Sequence, residues 1–137
     1  MLEKIFGMKK NNKKVLIVED DSLLSRVLSE GFLAEKFKVM VIANGLEVAN
    51  KVKSFLPDII LLDLIIPGID GFAVLKGLKE DEKTKNIPVA VISNLGDVGD
   101  VKSVKALEAD KYFIKANTEM GEIIKYVKDK LKVYPVK

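Results

Sequence analysis

The sequence predicts an α/β fold, a doubly wound (βα)5 sandwich around a five-stranded parallel sheet. Short apolar runs rich in β-branched residues alternate five times with segments whose apolar residues recur at helical spacing. The runs are apolar throughout, which is typical of parallel strands that are buried on both faces. Helices should therefore cover both faces of the sheet, joined to the strands by right-handed crossover connections.

Each predicted strand is an apolar run that is too short to form a helix. In chain order the predicted strands are Val15–Val18, Val39–Ile42, Ile59–Leu62, Val89–Ile92 and Tyr112–Ile114.

The intervening segments carry apolar residues on one helical face, and several local signals mark where the helices start and stop. The first stripe comprises Leu24, Val27, Leu28 and Gly31. Pro57 should close the second helix, and Asp70 can cap the third. Asn117 or Thr118 can cap the fifth helix. The predicted helical stretches are residues 24–31, 48–55, 74–78, 101–107 and 120–131.

Composition limits both the size of the protein and its chemistry. The 137 residues are 48% hydrophobic, which suffices for one domain with a continuous core. The absence of cysteine and histidine excludes disulfides, thiolate zinc sites, thiol nucleophiles and the usual general base. No apolar stretch approaches the roughly 18 residues that a membrane span needs, and the N-terminus lacks the apolar core of a secretory signal. These features predict a cytoplasmic protein without a membrane span.

Charge is distributed unevenly along the chain and suggests where the domain ends. Residues 1–14 carry five Lys and one Glu, residues 125–137 carry five Lys and one Asp, and the middle is acidic. We predict a basic N-terminal tail over residues 1–13, the domain over residues 14–132 and a C-terminal tail over residues 133–137. The basic ends are interpreted as solvated segments in preference to a surface for nucleic acid or anionic membrane, since no aromatic residues lie among the tail lysines.

Polar residues follow the predicted strands at one edge of the sheet. Glu19 and Asp20 follow strand one, Asp63 follows strand three, Ser93 follows strand four and Lys115 follows strand five. In a doubly wound sheet, ligands bind outside the carboxyl ends of the strands, where the strand order reverses. For the order 2-1-3-4-5 that point lies between strands one and three, so the three carboxylates should meet there.

Three carboxylates in one crevice repel one another unless a cation neutralises them. Because the site offers only oxygen ligands, magnesium is favoured over zinc. A purely structural interpretation also exists for each motif: Asp21 or Ser22 can cap helix one, and Asp63 can mark an ordinary strand-exit turn. Ser93 and Lys115 favour the functional interpretation, because a hydroxyl and an ammonium can bind phosphate oxygens beside the metal. The set predicts phosphoryl transfer onto Asp63 as an aspartyl phosphate.

Four segments, "VLIVEDD", "PDIILLDLIIPGIDG", "PVAVISN" and "ADKYFIKA", resemble in order and spacing the signatures of response-regulator receiver domains, chemotaxis-regulator-like proteins with a flavodoxin-like fold. The resemblance covers residues 14 to about 132. It implies that Asp63 accepts a phosphoryl group from a partner's phosphohistidine. It also implies that Asp20, Asp63 and the carbonyl of Ile65 bind Mg²⁺ directly, with Glu19 acting largely through water.

The resemblance further assigns the phosphoryl oxygens to Ser93 and Lys115 and a switch role to Ser93 and Tyr112. Tyr112 would turn inward as the Ser93 hydroxyl moves toward the phosphate, although it can equally be a core aromatic of strand five. The implied partners are a histidine kinase or a histidine phosphotransfer protein. Downstream, the implied partner is an effector protein or a second copy of the chain at the surface of helix four, strand five and helix five.

Three positions depart from the family pattern. Ala116 follows Lys115 where the family usually has a proline in a cis peptide, and a non-proline cis bond costs about 3 kcal/mol. The peptide is therefore either trans or strained. Asn94 replaces the usual Ala or Gly and can either narrow access to the site or add a hydrogen bond. Ile65 and Leu95 are both aliphatic at positions that tune hydrolysis, so the aspartyl phosphate should be lost slowly.

The functional prediction is a stand-alone receiver with no DNA-binding domain in this chain. It is a phospho-acceptor switch and not an enzyme, apart from its own Mg²⁺-dependent phosphorylation from phosphodonors and slow autodephosphorylation. The alternative is a phosphorylation-independent interaction module with the same fold. A phosphatase of the haloacid dehalogenase type would need a second aspartate two residues after Asp63, where Ile65 stands.

Overall fold

A computed structural model of the protein describes residues 11–94, 102 and 104–134. Within these residues the strands form one parallel sheet of order β2-β1-β3-β4-β5, which confirms the predicted fold class. The strands are β1 (Lys14–Val18), β2 (Lys38–Ile42), β3 (Ile59–Leu62), β4 (Val89–Ser93) and β5 (Lys111–Ile114). Each predicted run lies within an observed strand, and Ser93 is the last residue of β4.

Helices connect the strands and agree with the predicted spacing. The fourth predicted helix, α4, is described only in part: residues 102 and 104–106 are helical, and residues 101 and 103 lie outside the described residues. The other helices are α1 (Ser22–Ala34), α2 (Val48–Phe55), α3 (Gly71–Glu80) and α5 (Met120–Leu131), and short 3-10 turns span Gly45–Glu47 and Lys115–Asn117.

Apolar side chains pack in two clusters on opposite faces of the sheet. One cluster joins Val18, Leu62 and Val91 to buried residues of α2, α3 and α4, and the other joins the alternate strand residues to α1 and α5. The central strands β1, β3 and β4 are almost wholly buried, as the continuously apolar runs predicted. Burial on both faces makes the centre of the sheet a rigid platform for the residues that follow its strands.

Two local predictions were wrong. Val27, placed on the apolar stripe of the first helix, is 41% exposed, because the buried face of α1 is centred on Ser25, Leu28 and Phe32. Residues 117 and 118 do not cap α5. Instead Glu119 is its N-cap and forms a capping box with Glu122. Thr118 is used elsewhere, since its hydroxyl donates to the Ile114 carbonyl at 2.8 Å.

The other start and stop signals agree with the structure. Asp70 caps α3, with its Oδ1 accepting a hydrogen bond from Phe72 N at 2.8 Å. The second helix ends at Phe55, two residues before Pro57. Within the described residues, no helix combines the length and the apolar character that a membrane span requires.

Candidate functional site

The predicted acidic residues meet at the carboxyl edge of the sheet, between β1 and β3. Val18 pairs with Leu62 at the carboxyl ends of these strands. Glu19 and Asp63 are the residues that directly follow this pair, so they lie side by side. The Asp63 backbone N–H donates to the Val18 carbonyl at 3.0 Å and thereby continues the ladder. The position at which the strand order reverses therefore carries the carboxylates, as the sheet order predicted.

The three carboxylates form a compact group with unequal exposure. One oxygen each of Glu19, Asp20 and Asp63 lies within 4.8 Å of the other two. Glu19 and Asp63 are buried, with 3% and 5% of their surfaces exposed, whereas Asp20 is exposed. This donor set is made of hard oxygens and fits a divalent ion such as Mg²⁺, which uses carboxylates together with waters and phosphate oxygens.

Lys115 bridges the two buried carboxylates. Its Nζ lies 2.6 Å from Glu19 Oε1 and 2.7 Å from Asp63 Oδ2. Burial alone would lower the pKa of Lys115, but the hydrogen bonds to Asp63 and Glu19 raise it above its ordinary value. The ammonium is therefore charged at neutral pH and partly neutralises the pair. Glu19 still has a raised pKa, because its burial outweighs the hydrogen bond from Lys115.

Backbone amides hold the second oxygen of each buried carboxylate. Glu19 Oε2 accepts a hydrogen bond from Asp21 N at 3.0 Å, and Asp63 Oδ1 accepts one from Ile65 N at 3.0 Å. Each carboxylate thus has one oxygen fixed by the main chain and one bonded to Lys115. One oxygen of Glu19 and one of Asp63 therefore face the same point, where the Lys115 ammonium supplies the positive charge.

Ser93 and Tyr112 lie on neighbouring strands next to this site. Ser93 is completely buried and pairs with Ile114, while Val91 pairs with Tyr112 two residues earlier. Because side chains two residues apart share a face of the sheet, Ser93 and Tyr112 lie on the same face. The hydroxyl oxygen of Tyr112 is buried, so the ring is turned toward the protein interior. The two predicted switch residues are therefore neighbours on one face.

The segments that follow β4 and β5 contain two of the departures from the family pattern, Asn94 and Ala116. No cis peptide bond occurs in the described residues, so the Lys115–Ala116 peptide is trans. Asn94 Oδ1 accepts a hydrogen bond from Ala116 N at 3.1 Å. Of the two roles open to Asn94, the structure shows the added hydrogen bond. The sequence marks both positions as departures, but nothing in it links them.

Of the two aliphatic residues that predict slow hydrolysis, Ile65 and Leu95, only Ile65 is among the described residues. Ile65 is 59% exposed, and its backbone adjoins Asp63. Leu95 lies outside the described residues. The expectation of slow hydrolysis therefore stays a prediction.

A sheet of this order, with an acidic cluster and a lysine at its switch point, defines a doubly wound α/β protein with a site for a hard cation beside an ammonium. A family model of the response regulator receiver domain matches residues 15–128. The chain belongs to this family, whose members are phospho-acceptor switches of two-component systems that interact with histidine kinases and effectors.

Individual relatives are similar over most of the chain. Sporulation initiation phosphotransferase F of Bacillus subtilis is 35% identical over 104 residues, which cover 76% of this chain and 82% of that protein. The DNA-binding dual master transcriptional regulator RpaA of Synechocystis sp. is 32% identical over 102 residues, 74% of this chain. This chain spans 42% of the length of RpaA. The structure of the phosphorylated cyanobacterial phytochrome response regulator RcpA matches with a TM-score of 0.75 at 27% identity, covering 89% of this chain and 93% of that chain.

Proposed function

We propose that Asp63 accepts a phosphoryl group from the phosphohistidine of a histidine kinase or histidine phosphotransfer protein, and that this switches the surface read by a partner. The observation that carries the proposal is the pairing of Asp63 with Lys115 inside the acidic cluster. A buried carboxylate with one oxygen bonded to a lysine ammonium has a nucleophilic oxygen beside a cation that can bind the incoming phosphoryl group.

The transfer step exchanges one bond for another. Asp63 Oδ2 forms a bond to phosphorus as the bond between phosphorus and the donor's imidazole nitrogen breaks, and the imidazole takes up a proton as it leaves. Lys115 can move its ammonium from the carboxylate oxygen onto a phosphoryl oxygen while staying close to Glu19. In the resting state the hydrogen bonds to Asp63 and Glu19 raise the pKa of Lys115, so the side chain begins this movement as a cation. The residue thus supplies charge where charge develops on the transferred group.

Mg²⁺ would be held by Asp20, Asp63 and the Ile65 carbonyl, with Glu19 acting through water, and would neutralise the charge of the transferring phosphoryl oxygens. The fit of the site to such an ion rests on its oxygen donors and their close spacing. In the resting state the Lys115 ammonium lies between the carboxylates and neutralises part of their charge. On phosphorylation of Asp63 the ammonium would bind the phosphoryl oxygens, and the metal would neutralise the carboxylates.

The surface beside Lys115 is open enough for a protein donor to approach. The side chains of Leu23 and Val27 are 71% and 41% exposed on α1, next to the loop that follows β5. They belong to a shallow depression lined by Asp21, Leu23, Leu24, Val27, Asn94, Lys115, Ala116 and Met120. Apolar exposed residues beside a buried phospho-acceptor suit docking of a partner helix that carries the phosphohistidine.

The proposed response to phosphorylation runs through Ser93 and Tyr112. A phosphoryl group on Asp63 offers a new acceptor to the Ser93 hydroxyl, and a displacement of Ser93 changes the space beside the Tyr112 ring. The α4–β5–α5 surface would then differ between the two states and would present itself to an effector or to a second copy of the chain. Ser93→Ala should permit phosphorylation and reduce the accompanying change in amide resonances around β5.

The proposal is tested by mass measurement after the protein is incubated with Mg²⁺ and acetyl phosphate. We expect a phosphate-sized increment on the wild type and none on Asp63→Asn. Asp58→Asn is the matched control, since Asp58 precedes the same strand at its opposite end. An increment that persists in Asp63→Asn would contradict the assignment. A wild type that takes up no phosphate would favour the phosphorylation-independent interaction module.

A further inference from the structure

Among the described residues, a hydrogen bond connects the segments that leave the sheet after β4 and β5. Asn94, the first residue after β4, accepts this bond from the backbone N–H of Ala116, the residue that follows Lys115. The two residues are 22 positions apart in the sequence. We refer to this contact between Asn94 and Ala116 as the loop clamp.

The loop clamp lies just beyond the last paired residues of strands β4 and β5. Ser93 and Ile114 are the last paired residues of β4 and β5. Beyond them the chain after β5 forms the 3-10 turn Lys115–Asn117, which closes through a long 3.4 Å bond from Thr118 N to the Lys115 carbonyl. Such a short turn is weakly held by its own backbone bond, so the bond from the Thr118 hydroxyl to the Ile114 carbonyl and the contact from the neighbouring loop both help to define it.

The donor in the loop clamp exists only because residue 116 is not proline. Proline has no backbone N–H, and the residue before a proline is disfavoured in a helical turn. Alanine at position 116 supplies the N–H and permits the 3-10 conformation at Lys115. The two departures that the sequence showed, Asn94 and Ala116, are therefore the two halves of one contact.

We propose that Asn94 is a positioning residue that acts through Lys115. By holding the peptide directly after Lys115, the loop clamp fixes the backbone from which the long lysine side chain reaches Glu19 and Asp63. The ammonium lies within 2.7 Å of both carboxylates. This double contact depends on where the backbone of Lys115 is held. The effect on phosphorylation rests on the proposed function, whereas the effect on Lys115 does not.

The side chains that compete for this role are few among the described residues. The Thr118 hydroxyl bonds to the Ile114 carbonyl, on the strand side of Lys115. Glu19 and Asp63 hold the ammonium at the far end of the side chain. Among the described residues, the loop clamp is the hydrogen bond that reaches the backbone just after Lys115 from another part of the chain. Without it the base of the side chain can shift while its tip remains attracted to the acids.

The test compares Asn94→Leu, which has a similar branched shape but no acceptor, with Asn94→Asp, which keeps an acceptor oxygen. Asn117→Leu is the matched control: Asn117 is also exposed and lies in the same turn, outside the clamp. The first readout needs no phosphodonor. In Asn94→Leu we expect faster exchange of the Ala116 amide hydrogen and shifted Lys115 side-chain resonances, with both effects small in Asn94→Asp and in Asn117→Leu.

The second readout is the rate of phosphorylation by acetyl phosphate at fixed Mg²⁺, because a loss of positioning lowers rates steeply. Asn94→Leu should slow the reaction about tenfold in the wild-type background and less than about twofold in Lys115→Met, where no ammonium remains to be positioned. Asn94→Asp should recover most of the wild-type rate.

The outcomes separate the inference from the proposed function. If Asn94→Leu leaves the Ala116 exchange and the Lys115 resonances unchanged, the loop clamp does not position Lys115 and the inference is overturned. If the slowing is equally large in the Lys115→Met background, Asn94 acts by another route, which also overturns it. If the wild type takes up no phosphate, the proposed function fails, and the resonance shifts alone then support or overturn the positioning of Lys115.

Discussion

The two edges of the sheet both carry aspartates beside strand ends, but they use them differently. At the amino edge, Asp58 precedes β3 and Asp110 precedes β5. Asp58 Oδ2 accepts a hydrogen bond from Lys14 N, the first residue of β1, and Asp110 Oδ2 accepts one from Val89 N, the first residue of β4, both at 2.8 Å. In return the backbone N–H of each aspartate donates to the carbonyl of the same partner at 2.9 Å.

At the amino edge Asp110 also lies near two ammonium groups, those of Lys130 at 3.5 Å and Lys79 at 3.8 Å, but neither contact is short. The carboxyl edge differs in having one ammonium in short contact with two buried acids. Glu19 and Asp63 are buried deeper than Asp58 and Asp110, yet each has one oxygen bonded to a side-chain ammonium that both share. A backbone amide cannot leave its acceptor without a change of fold, whereas the Lys115 ammonium can move by rotation of its side chain. The amino-edge acids therefore complete the sheet, and the carboxyl-edge acids are held ready to exchange their partner for another cation or a phosphoryl group.

The largest effect on stability should come from removal of the shared ammonium. Lys115→Met leaves two buried carboxylates close together without a counter-charge, and we expect the free energy of unfolding to fall on the order of 3 kcal/mol. Urea denaturation at neutral pH measures the loss. Added Mg²⁺ should restore more stability to this variant than to the wild type, because the ion can take the place of the ammonium. Equal stabilisation of both proteins by Mg²⁺ would contradict that exchange.

A smaller loss should follow from removal of an amino-edge acceptor. Asp58→Ala leaves the Lys14 N–H without its side-chain acceptor, and Asp110→Ala does the same to Val89 N. Each should lower the free energy of unfolding by about 2 kcal/mol. Unlike the loss in Lys115→Met, this loss should not be reduced by Mg²⁺. The same denaturation series with and without Mg²⁺ decides the point, and a selective Mg²⁺ rescue of Asp58→Ala would remove the distinction between the edges.

Mg²⁺ itself should stabilise the wild type modestly, because it binds the folded state and must compete with Lys115 for the acids. We expect about 1 kcal/mol at an ion concentration a few times the dissociation constant. Thermal unfolding with increasing MgCl₂ should show a rising melting temperature. Asp20→Asn, which alters the exposed acid of the cluster, should flatten this dependence. The outcome that counts against the site is an identical response in wild type and Asp20→Asn.

The smallest effect concerns Gly77 in α3, and Gly71 at the start of the same helix provides the contrast. At Gly71, near the site, an added Cβ would lie 2.4 Å from Leu64 Cα, so a side chain there must displace backbone. At Gly77 nothing lies within 4 Å of such a Cβ. Gly77→Ala should therefore stabilise the protein by about 0.5 to 1 kcal/mol through helix propensity, and Gly71→Ala should destabilise it. Denaturation curves of the two variants give the signs directly.

Local patterns in the sequence determined the elements and the edge at which the site lies. Continuous apolar runs predicted the strands, because a strand buried on both faces must be apolar at every position. The cap at Asp70 was predictable for a similar reason, since its partner amide is only two residues away. The placing of Glu19, Asp20 and Asp63 at one edge followed from parallel strands, whose carboxyl ends coincide whatever the details of packing.

Tertiary structure decided which groups bond to one another. Lys115 meets Asp63 across 52 residues, and Asn94 meets Ala116 across 22, because β3, β4 and β5 lie side by side in the sheet. The cap of α5 moved to Glu119 for a similar reason, as Thr118 is engaged by the end of β5. Hydrophobic patterns indicate which faces of the strands and helices are buried, but a hydrogen bond depends on atomic distances that exist only after the strands have paired.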